Sequence, residues 1–100
     1  MLYIGYDELA PGHNFPKLKD SLAKEAYPGK SEVVRFLKNG TVDLARMSRV
    51  KDIFTGKVIP TEVLVMHDGD FYWSNTLAWY VEKYNLRLPQ DFERHILKKS

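Results

Sequence analysis

Between Glu62 and Trp73 the chain reads EVLVMHDGDFYW, and this stretch constrains the fold more than any other. Glu62-Val63-Leu64-Val65-Met66 is an unbroken run rich in β-branched and apolar residues, the composition of a central strand covered on both faces. Asp68-Gly69 is a two-residue hairpin connection, because glycine supplies the positive φ that such a turn needs. Asp70 to Trp73 then returns as the partner strand, with Phe71 and Trp73 on one face and Asp70 and Tyr72 on the other. A chain committed to this hairpin must cover at least one face of it.

The covering elements flank it. Leu18, Leu22 and Ala26 recur every four residues behind Pro16, and Asp20 and Lys24 form an i,i+4 pair, so the spacing predicts an amphipathic helix over 17–26. Tyr27-Pro28-Gly29-Lys30 turns the chain. Ser31 is placed to cap a second helix with Val33, Phe36 and Leu37 inward, closed by Asn39-Gly40. Beyond Gly40 the period shortens: Val42, Leu44 and Ala45, then Val50, Ile53 and Phe54, fit short strands, with Thr55-Gly56-Lys57 turning into Val58-Ile59. Pro60 donates no ladder hydrogen bond, so that strand is an edge or begins afresh at Thr61. Ser74 or Asn75 caps a helix with Leu77, Tyr80, Val81 and Tyr84 on one face, and Pro89 opens a last helix through Phe92 and Ile96.

The predicted architecture is α+β: a small antiparallel sheet from about residues 41–73, with residues 2–5 available as a further strand, packed against N-terminal and C-terminal helices. At 100 residues it forms a single domain, 1–100. With no cysteine, disulfides, thiolate metal sites and cysteine nucleophiles are excluded. The first ten residues carry neither the basic region nor the apolar run of a signal peptide, and no window has the ~18 apolar residues of a membrane span. The expectation is a soluble cytoplasmic protein that does not engage membranes.

The chemistry in HDGDFYWSN is thin. A metal site would use His67, Asp68 and Asp70, but neighbours along a strand point to opposite faces, and His13 and His95 show no coordinating spacing. No metal and no cofactor is expected. Pro28-Gly29-Lys30-Ser31 resembles the end of a phosphate-binding loop, yet Lys24 stands where the pattern needs glycine. No serine–histidine pairing supports nucleophilic catalysis.

Aromatic density is the unusual feature: Phe71, Tyr72, Trp73, Trp79, Tyr80 and Tyr84 supply six of the 13 aromatic residues within 14 positions. A small core cannot hide them all, and exposed Trp and Tyr anchor protein interfaces. The reading that follows is a non-enzymatic protein-interaction module of the inhibitor, immunity-factor or adaptor kind. It would bind its partner, or a second copy of itself, through Asp68, Asp70, Tyr72, Trp73 and Trp79. The alternative is a nucleic-acid-binding module using Arg35, Lys38, Arg46, Arg49, Lys51 and Lys57, since residues 35–57 hold six basic residues against Asp43 and Asp52. A third reading is a small hydrolase or metal-dependent enzyme around His67.

Overall fold

The structure, a computed structural model, describes residues 2–99. Its elements are β1 (Leu2–Ile4), a 3-10 turn at Leu18–Ser21, α1 (Lys30–Lys38), β2 (Thr41–Arg46), β3 (Val63–His67), β4 (Phe71–Ser74), α2 (Thr76–Tyr84) and α3 (Gln90–Lys99). The α+β class holds, with the four strands in the order β1-β4-β3-β2. Residues 2–4 do join the sheet, but parallel to β4, so the sheet is mixed rather than purely antiparallel. Among the described residues no helix is long and apolar enough to cross a membrane.

The hairpin forms with β3 central between β4 and β2. Its turn lies one residue later than the sequence suggests: Asp68 N–H donates to the Phe71 carbonyl (3.1 Å), so Gly69-Asp70 are the turn residues, with Gly69 at φ 97°. Register sorts the side chains. Ile4, Trp73, Met66 and Val42 lie side by side across the sheet on the inner face, and Tyr3, Tyr72, His67 and Thr41 on the outer. The helices close over the inner face, where the Trp73 indole N–H donates to the Leu37 carbonyl of α1 (3.1 Å) and its ring meets Phe36 and Phe92.

Helix 17–26 does not form. Between Pro16 and Pro28 a helix would be short and costly to nucleate. The chain instead pairs with the segment after α2: Ala23 N–H donates to Asn85, Arg87 N–H donates to Ser21, and Leu22 bridges Leu86. Only Leu18 of its presumed apolar stripe is fully buried. In α1 the cap is Gly29, not Ser31, which lies inside the helix without a side-chain capping bond. Gly40 is required for a different reason from a left-handed cap. A Cβ there would sit 2.7 Å from the Trp73 ring.

Residues 48–62 form no regular strand but continue the ribbon begun by β2 and β3. Val63 N–H donates to Ser48, Ile59 N–H to Val50, and Lys51 bridges Val58. β3 is central yet only Met66 in it is fully buried, because β2 beyond it has no cover on either face.

Candidate functional site: the open β2 edge and its surroundings

The aromatic–acidic group expected to form one surface is dispersed. Trp73 is sealed in the core and cannot meet a partner. Tyr72 lies on the opposite face, its ring 4.9 Å from Tyr3. Trp79 is half-buried on α2, its indole N–H donating to Asp52 Oδ2 (2.8 Å) with Lys83 over its ring. Strand alternation separates the first two, and the third is recruited by a buried carboxylate.

That carboxylate is Asp52, 2% exposed and in no ion pair among the described residues. Its Oδ1 accepts from the N–H groups of Phe54 (2.7 Å) and Thr55 (3.2 Å), and its Oδ2 from Trp79 and the Tyr84 hydroxyl (2.6 Å). Burial alone would raise its pKa, but the four donors outweigh that and hold it below the usual carboxylate range. The same bond pushes the Tyr84 phenol up to about 12. Asp52 thus fastens the ribbon tip to α2.

Asp68 and Asp70 meet α3. Asp68 Oδ1 accepts from the N–H groups of Asp70 and Phe71, which fixes the turn, and Oδ2 lies 2.5 Å from His95 Nε2. Burial opposes ionisation, yet these hydrogen bonds, led by that from His95, lower the Asp68 pKa well below its ordinary value. Asp68, Asp70 and His95 are the one set among the described residues whose ligating atoms gather closely enough for a metal. The Lys99 ammonium stands 3.4 Å from Asp68 and 3.8 Å from Asp70, so the cluster already carries its own cation. It clasps α3 to the hairpin. His67, the centre of the metal-enzyme reading, instead accepts a hydrogen bond from Gly69 N–H.

The exposed apolar surface lies elsewhere. All of Thr41–Arg46 is exposed, and the following residues to Lys51 are exposed as well. Val42 is 50% exposed, Leu44 51% and Met47 89%. The pairing register sends Val42 to the inner face and Leu44 to the outer, with a bulge at Asp43. Both faces of this edge are therefore apolar and open. The alternation of Val42 and Leu44 announced a strand, but no signal in the sequence marked it as the uncovered one.

The six basic residues are exposed but divided: Arg35 and Lys38 on α1, Arg46 at the end of β2, and Arg49, Lys51 and Lys57 along the ribbon. Lys38 is paired with Glu82 at 2.7 Å. Arg35 and Lys38 thus stand on a different element from the other four.

Fold and edge together define a small α+β domain with an unprotected sheet margin. Compared with protein-family models, with curated proteins and with solved structures, the chain matches none of them.

Proposed function

We propose that this protein is a non-enzymatic interaction module that takes up an extended segment of another protein along β2, as a fifth strand of its sheet. The observation that carries the reading is the exposure of β2. A sheet edge offers a row of unpaired N–H and C=O groups, and proteins that do not use such an edge shield it with charge, proline or a covering element. Here only the Asp43 bulge and Arg46 interrupt it, while Val42, Leu44 and Met47 lie open beside it. Strand addition draws affinity from the main chain and specificity from alternate side chains, which suits this arrangement. Arg46, Arg49 and Lys51 outnumber Asp43 along the margin, so the partner segment carries acidic residues among apolar ones.

The test is capture of partners from the native host by the wild type and by Leu44→Lys, followed by calorimetry with synthetic segments of whatever is captured. Leu44 is exposed, so the substitution leaves the core intact. Binding weakened about tenfold or more, near 1.4 kcal/mol, supports the reading. Equal binding by both proteins overturns it, as does binding to DNA or RNA that collapses between about 50 and 200 mM salt. Sedimentation showing wild-type dimers that Leu44→Lys dissociates would make a second copy the occupant and overturn the choice of a foreign segment.

A further inference from the structure

We propose that the outer face of the sheet holds a binding groove for a small aliphatic monocarboxylate, with its chain along β3 and its head between Arg46 and Lys51. The groove has a volume of about 410 Å³ and runs across the C-terminal ends of β1 and β4. Its apolar lining includes Val63 and Val65 of β3, Leu77 of α2, Leu9 and Ile53, with Ser74 and Thr76 among its polar groups. That is the size and apolar character of a small-molecule site, which takes orientation from a few polar groups. Arg46 and Lys51 are the cations among its lining residues, and neither is in an ion pair among the described residues.

Arg46 lines the groove together with Tyr3. Glu8, the one carboxylate in the lining, accepts hydrogen bonds from the N–H groups of Leu18 (2.7 Å) and Lys19 (2.9 Å). The groove therefore offers two cations beside aliphatic side chains, with its single carboxylate hydrogen-bonded to backbone N–H groups. An anion with a flexible apolar chain meets both features. Leu44, on which the strand-addition test turns, lies outside the groove, so the two readings fail separately.

Methyl NMR of the intact protein, titrated with octanoate and with 1-octanol, tests the inference. Octanoate is expected to shift the Val63, Val65 and Leu77 methyls and to saturate below about 1 mM, with 1-octanol at least about tenfold weaker. Arg46→Ala with Lys51→Ala should abolish that preference, and Val65→Phe, which fills the groove, should weaken both ligands. Absence of shifts, shifts mapping elsewhere, or equal affinity for alcohol and acid would overturn the proposal. So would tighter binding of N-acetyl-Val-Leu through its terminal carboxylate, which would assign the groove to a peptide end.

Discussion

Asp52 shows how much one side chain decides in a domain this small. A buried carboxylate with four donors, and no ion pair among the described residues, owes its ionised state to those donors. Asp52→Ala is expected to lower stability by about 3 kcal/mol, because it strands the Trp79 N–H and two backbone amides; urea unfolding measures it. Asp68 is held low in the same manner. For carboxyls with depressed folded values, the stabilisation is complete above about pH 4 and drains away as the pH falls through the folded pKa. Unfolding free energy should therefore drop as the pH falls from about 4 to about 2. Asp68→Asn should flatten that slope while lowering stability at neutral pH. Gly40→Ala should cost about 1–3 kcal/mol by forcing a Cβ against the Trp73 ring, and thermal melting reports it.

Elements that rest on neighbouring residues were legible from the sequence; elements set by distant ones were not. The β3–β4 hairpin was readable because composition, alternation and turn chemistry agree within twelve residues. α1, α2 and α3 were readable from their periodic apolar faces. The segment 17–26 has the same local period, but its backbone finds partners at Asn85–Arg87, which no local pattern reveals. His95 escaped for the same reason, since it meets Asp68 from 27 residues away. So did the burial of Trp73, which depends on α1 and α3 arriving together. Asn75 stands at the N-cap position of α2, as its type suggests, but its side chain makes no capping bond and serves as an added strand residue. Its Oδ1 accepts the Leu64 N–H (2.9 Å) and its Nδ2 donates to the Glu62 carbonyl (2.8 Å). Asn75→Ala should therefore cost about 1–2 kcal/mol and speed hydrogen exchange at the Leu64 amide.

At the scale of the molecule, the helices are spent on one face of the sheet and on the strands nearest its middle. Cover runs out at β2: along the inner row, Ile4, Trp73 and Met66 are buried while Val42 is half open. Trp73 and Tyr80 were absorbed by the core and Trp79 and Tyr84 by the Asp52 clasp, while Tyr72 packs on Tyr3 outside the sheet, so the β2 margin is aliphatic and basic rather than aromatic and acidic. A strand laid along β2 would complete both the ladder and the two apolar faces. The most direct test is amide hydrogen exchange across the whole chain, with and without a captured partner segment. Strand addition along β2 predicts slowed exchange at alternate amides of Thr41–Arg46. Protection confined to the Asp68–Tyr72 turn, or to Arg35 and Lys38 on α1, would contradict it.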